Sequence, residues 1–103
     1  MVLGKNGEPD YRLILLPGEV EGVDWKSAQE WAEKCGGFLP TRREQSILFG
    51  NLKEKFKEAV YWSGERHESN SGWAWSQNFG YGDQYDDGQS RRFRARAVRR
   101  LSI

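Results

Sequence analysis

The residue types best suited to chemistry lie in the second half of this 103-residue chain. His67, the only histidine, stands between Glu65 and Glu68, where a carboxylate could orient an imidazole for acid–base work. No positioned nucleophile accompanies it, and residues 64–72 read as a polar loop in which His67 is exposed and mobile. Asp83, Asp86 and Asp87 are carboxylates among glycines that permit tight turns, the kind of oxygen ligand Ca2+ takes. They lack the spacing of a helix-loop-helix calcium motif, so Ca2+ is a weak candidate and no cofactor is expected. The alternative is that these acids face the arginines of the last strand. Those arginines, at 91, 92, 94, 96, 99 and 100, could neutralise phosphates. Because they alternate along a β-type run in a chain of net charge +1, an internal ion-pair face is expected instead, with nucleic acid not a partner.

A different chemistry is suggested by Trp73, Trp75, Asn78, Tyr81, Asp83, Gln84, Tyr85 and Asp86, with Asn70 just before them. Rigid rings contribute contact area at little entropic cost, and short polar side chains beside them supply adaptable hydrogen bonds, which suits recognition of a protein or a glycan. The competing use of the tryptophans is as core in a fold short of aliphatics, most of all for Trp75. Tyr81 and Tyr85 flank glycines in a loop and are the stronger ligand candidates.

The elements that must carry these residues are bounded first by size. One hundred and three residues make one domain with one modest core, and fourteen Trp, Tyr and Phe residues offset a hydrophobic content of 37%. Charge is uneven: about −1 over residues 1–60, about −4 over 61–90 and about +6 over 91–103. A single cysteine, Cys35, and a single histidine exclude a disulfide framework within the chain and leave too few ligands for a structural zinc site. The opening residues hold no apolar signal segment and no stretch is long enough to cross a bilayer, so the expected location is cytoplasmic or virion-associated, with no membrane partner.

Along the chain, residues 1–10 are expected to be a flexible lead-in broken by Gly4, Gly7 and Pro9, and residues 11–103 a single domain. Residues 11–16 (YRLILL), closed by Pro17-Gly18, read as a buried strand. Asp24 caps a helix over 25–35 whose inner face is Trp25, Ala28, Ala32 and Cys35, with Gly36-Gly37 as its stop. Thr41 and Glu44 form a capping box for a second helix, with Ile47, Leu48, Leu52 and Phe56 inward and a bend or short break at Gly50-Asn51. From residue 61 the period becomes two. Strands are expected at 61–63, 73–79 (Trp73, Trp75, Gln77 and Phe79 on one face) and 93–101 (Phe93, Ala95, Ala97 and Leu101 inward), with a loop or a wide hairpin connection over 80–90. Strand, two helices, then antiparallel strands is an α+β order.

The pieces Trp25, Ala28, Trp31-Ala32, Gly36-Gly37, Leu39-Pro40-Thr41-Arg42 and Glu44, then Tyr61-Trp62-Ser63, Ala74-Trp75, Phe79, Gly82 and Arg96-Ala97-Val98-Arg99, follow one another over residues 24–101 in an order that resembles the Lcl C-terminal domain family of bacterial and phage proteins. The resemblance implies a compact C-type-lectin-like domain: N- and C-terminal strands paired, two helices packed on small antiparallel sheets, long loops carrying function. A related enzyme branch uses a cysteine pair, which this chain lacks, and Glu8-Pro9-Asp10 lies at the wrong end for a calcium-lectin signature, so neither activity is carried over. The expectation is a non-enzymatic ligand-binding module of phage, prophage or bacterial origin, with a homo-oligomer left open. The alternative is a small intracellular phage-encoded regulator that blocks a host defence complex. The density of Asn, Asp, Ser and Tyr over 70–87 also resembles loops that retroelements diversify.

Overall fold

Eight strands and two helices build the domain in the computed structural model, which describes residues 2–5 and 8–102 and, from residue 11 on, their side chains. The strands form two sheets. β1 (Val2–Lys5), β2 (Glu8–Leu15) and β8 (Val98–Ser102) make an antiparallel sheet in the order β1-β2-β8, which joins the two ends of the chain through Tyr11↔Ser102 and Leu15↔Val98. β3 (Val20–Val23), β4 (Val60–Arg66), β5 (Trp73–Asn78), β6 (Gln84–Gly88) and β7 (Phe93–Ala95) make a second sheet in the order β3-β7-β4-β5-β6. The α+β order read from the sequence holds. The pairing is not wholly antiparallel, however, because β4 and β7 run parallel through Tyr61↔Arg94.

The two helices take opposite faces of the five-stranded sheet because successive residues of its central strand do. Tyr61 faces Leu48 of α2 (Arg42–Leu52), together with Leu13, Phe56, Phe79 and Val98. Trp62 faces Ala28 and Ala32 of α1 (Trp25–Lys34), together with Leu39, Ala74, Ala95 and Ala97. Phe56, Tyr61 and Phe79 meet as a ring cluster, Phe56 stacked on Phe79 at 4.0 Å and Tyr61 edge-on to both. Helix ends follow their local signals. Asp24 accepts from Ser27 N–H, and the Thr41–Glu44 capping box is complete. Gly36, at φ +83°, lets Gly36 N–H reach Glu33 O while Gly37 N–H reaches Ala32 O, a Schellman closure.

Several expectations do not hold. The described part of residues 1–10 is strand: β1 pairs with β2, and Pro9 falls opposite Gly4 where the register shifts, a place where a missing donor is tolerated. Cys35 is exposed, because it is the C-cap residue and the chain has turned away from the core there. Gly50 does not break α2, which runs on to Leu52, and Asn51 Nδ2 donates back to Ile47 O at 2.8 Å. The run 93–101 is two strands in two sheets. Ala97 and Val98 are both buried at the crossover, which reverses the alternation and leaves Leu101 42% exposed.

Gly37, just after α1, lies close against the Val98 backbone of the terminal sheet. A Cβ there would strike the Val98 carbonyl and Leu16 Cδ1. Because the first obstacle is backbone, Gly37→Ala is expected to destabilise the domain by about 1–3 kcal/mol, read as a lower urea midpoint. Gly88→Ala, with open space around it, serves as the control.

Candidate functional site

Residues 80–90, read as a loop or a wide hairpin connection, contain β6, an edge strand paired to β5 in the register Trp73↔Gly88, Trp75↔Asp86, Ser76↔Tyr85 and Gln77↔Gln84. Glycine and aspartate disfavour strand locally, yet pairing with β5 prevails. Alternation then sorts the candidate residues. Trp73, Trp75, Gln84 and Asp86 lie on the face that α2 covers, and Asn78, Asp83, Tyr85 and Asp87 on the opposite face.

Trp75 is the centre of the first group. The Arg42 guanidinium carbon stands 3.6 Å from its ring centroid, and the His67 imidazole stacks on it at 5.4 Å and 20°. Its indole N–H donates to Glu68 Oε2 at 3.2 Å. Bonds from Glu68's own backbone N–H and from that indole hold the Glu68 carboxyl below the usual range. Arg42, in the first turn of α2, is fixed by its neighbours. Its free backbone N–H donates to Glu65 Oε2 at 2.7 Å, its Nε donates to Gln84 Oε1 at 3.1 Å, and Gln84 Nε2 donates to Arg42 O at 2.8 Å. His67 is therefore part-buried rather than exposed. Its Nδ1 accepts from Ser69 N–H at 3.1 Å, which places the proton of the neutral ring on Nε2, 3.5 Å from Asp86 Oδ2. Only 20% of its side chain is exposed.

The remaining candidates divide into anchors and open groups. Gln84 is an anchor: besides Arg42 it donates to Gln77 Oε1 at 2.8 Å, beneath α2. Asn78 Oδ1 accepts from Gly80 N–H and Tyr81 N–H and shapes the β5–β6 turn, and Asn70 Oδ1 accepts from Gly72 N–H. Trp73, Tyr81 and Tyr85 are open, at 40%, 83% and 52% exposure. Tyr85 O–H donates to Asp83 Oδ2 at 2.8 Å, a bond that raises the phenol's pKa.

The three aspartates do not converge. Asp86 turns toward His67, Asp87 accepts from Ser76 Oγ at 2.8 Å on the other face, and Asp83 holds Tyr85. The expected meeting of these acids with the last arginines is limited to Arg91–Asp87 at 3.9 Å. The arginines find other acceptors: Arg94 binds Glu19 and Glu21, Arg96 binds Lys55 O and Leu16 O, and Arg100 binds Glu44.

No protein-family model and no curated protein matches this chain. The site thus stands on its own geometry. That geometry adds Arg42 to the residues the sequence suggested, and places His67, suggested there only for acid–base work, against Trp75. The Thr41–Glu44 capping box does put Arg42 in the first turn of a helix, but no local pattern aims that turn at a ring on β5.

Proposed function

We propose that this domain is a non-catalytic binding module that recognises a protein or glycan through the β5–β6 ribbon and the residues fixed beside it. One observation carries the reading. Of the five large hydrophobic side chains exposed among the described residues, three (Trp73, Tyr81 and Tyr85) lie on this single ribbon. Scattered apolar groups are ordinary, but open rings gathered beside a braced array of Arg42, His67, Glu68 and Asp86 are how recognition surfaces combine contact area with directional hydrogen bonds. Against catalysis, both ring nitrogens of His67 already have partners and its ring is packed on Trp75, which suits bracing better than proton transfer.

The C-type-lectin-like fold belongs to the same proposal. It is supported by the pairing of β2 with β8 near the chain ends and by helices on both faces of the second sheet; the connections of that sheet at 67–72, 79–83 and 89–92 are short, against the long loops that the resemblance implies. Bacterial or phage origin rests on the motif resemblance alone.

Printed glycan and peptide arrays probed with the intact chain, beside the Trp73→Ala/Tyr85→Ala double variant, test the reading. An aromatic hot spot is worth at least about 2 kcal/mol, so binding is expected to fall about thirtyfold or more while the melting temperature stays within a few degrees. Undiminished binding by the double variant would remove this surface from consideration.

A further inference from the structure

The open residues of the ribbon lie on two faces, so a ligand resting on either face reaches only half of them. Trp73 and Asp86 are on one side, Asp83 and Tyr85 on the other. A ligand lying along the β6 edge touches both, and an extended polypeptide does so naturally because its side chains alternate between faces.

The backbone of β6 is set for such a ligand. Asn78 N–H donates to Asp83 O at 2.8 Å and Gln89 N–H to Gly72 O at 3.0 Å, one at each end of the β5–β6 ladder. Alternation between these two bonds turns the N–H and C=O of Tyr85 and Asp87 toward β5 and those of Gln84, Asp86 and Gly88 outward. Gly88 O is taken by Arg91 N–H at 3.0 Å, whereas Gln84 and Asp86 present their outward groups at the free end of the strand order. The opposite edge, β3, is less suited. Its pairing with β7 is irregular between Val20 and Val23, Gly22 sits there at φ +66°, and Glu21 is engaged by Arg94.

Charge selects the occupant. Asp83 and Asp86 are exposed along this edge, Asp87 is partly so, and residues 61–90 carry about −4. A second copy of the chain would fit poorly. Antiparallel pairing of two β6 strands centred on Asp86 sets Asp86 against its counterpart, and pairing centred on Tyr85 sets Asp83 against Asp87, and like charges directly opposite are unfavourable. A lysine- or arginine-bearing segment meets carboxylates on both faces.

We propose that β6 is the acceptor edge for an extended basic polypeptide segment, which adds as a sixth strand and is held by the outward backbone groups of Gln84 and Asp86 and by Asp83 and Asp86 on either side. This rests on the binding role argued above and narrows its partner.

The test uses the full chain and two short synthetic peptides of alternating polar and β-branched residues, one carrying lysines and the other glutamates at the same places. Fluorescence anisotropy is expected to show binding of the lysine peptide only. Asp83→Lys/Asp86→Lys, whose carboxylates contact the exposed Tyr85 and the part-buried His67, is expected to reverse the preference by about tenfold. Amide hydrogen exchange supplies the independent readout: bound peptide slows Gln84 and Asp86, while Tyr85 and Asp87, already facing β5, stay as they were. Binding without slowing at Gln84 and Asp86 would overturn strand addition in favour of a charge contact. If neither peptide binds but a glycan or folded protein is still lost in Trp73→Ala/Tyr85→Ala, the edge proposal falls and the binding module stands. If nothing bound depends on Trp73 or Tyr85, the module reading falls as well.

Discussion

Trp62→Ala is expected to cost about 4–5 kcal/mol, at the upper end for loss of a large core side chain, and to leave the domain close to unfolding. Trp62 is fully buried on β4. Its surroundings decide the magnitude. Of the residues buried with it, five are alanines, at 28, 32, 74, 95 and 97, and an alanine has no further reach with which to fill a vacated ring. The cavity therefore persists rather than collapsing. Two specific contacts are lost as well: the edge-on packing against Phe93 at 4.8 Å and the bond from Trp62 Nε1 to Val23 O at 2.9 Å, whose loss leaves a carbonyl of the edge strand without its donor. Urea denaturation followed by circular dichroism is the measurement, with the midpoint falling and the slope unchanged. Trp62→Phe keeps a ring against Phe93 but forfeits the Val23 bond, and belongs between the two. A loss below about 1 kcal/mol in the alanine variant would mean that α1 closes onto the sheet, contrary to what small side chains on both sides permit.

The contrast between these helix-facing alanines and the ribbon shows what could be read from the sequence. Signals that act within a few residues were legible. The Asp24 cap, the Thr41–Glu44 box, the Gly36 stop and the inward Ala28/Ala32 stripe are all where the local pattern puts them. What failed depends on partners distant in the chain. β6 has the composition of a loop and is a strand because β5 lies beside it; β1 is a strand because β2 does. Cys35 follows the helical period but sits where the helix has ended, and Leu101 follows the strand period across a crossover that inverts it. The site divides in the same way. The open Tyr81 was legible from the glycines on either side of it, whereas Arg42 over Trp75 joins positions 33 residues apart. His67 was misjudged because its polar neighbours said nothing of the ring it would pack on. Glu44 shows the same limit within a single residue, since its capping role is local and its deeper role is not.

Glu44→Gln is expected to cost about 3 kcal/mol at neutral pH, the lower end for breaking a buried ion pair, because Arg100 keeps 30% of its side chain exposed and can turn to water. The Glu44 side chain is only 1% exposed. Its Oε1 accepts from Thr41 N–H at 2.9 Å and Arg100 Nη2 at 2.7 Å, and its Oε2 from Tyr11 O–H at 2.6 Å and Arg100 Nε at 2.8 Å. Glutamine can retain the capping contact through its oxygen, but its amide nitrogen cannot accept from Tyr11 O–H and Arg100 Nε, so the substitution removes the charge together with those two bonds. Burial pushes the Glu44 carboxyl upward, but the donated bonds from Arg100, Tyr11 and the Thr41 amide outweigh it and hold the group below the ordinary carboxylate range. A folded pKa lower than the unfolded one means that the stabilisation is complete above about pH 4.3 and is lost as pH falls through the folded value. The stability gap between the parent chain and Glu44→Gln should thus be constant from pH 7 to about 5 and close on further acidification. The gap between the parent and Arg100→Ala should also close on acidification, but beginning at a higher pH. With the cation gone, burial dominates, the Glu44 pKa rises above its unfolded value, and protonation relieves the variant, so that it gains on the parent as pH falls. Gaps that close over the same pH range in both variants would show that the pair is not the source of the effect. Because this bond network ties the first turn of α2 to β2 and β8, it also sets where Arg42 stands over Trp75. Glu44→Gln should therefore weaken ligand binding at neutral pH even at temperatures where the variant remains folded.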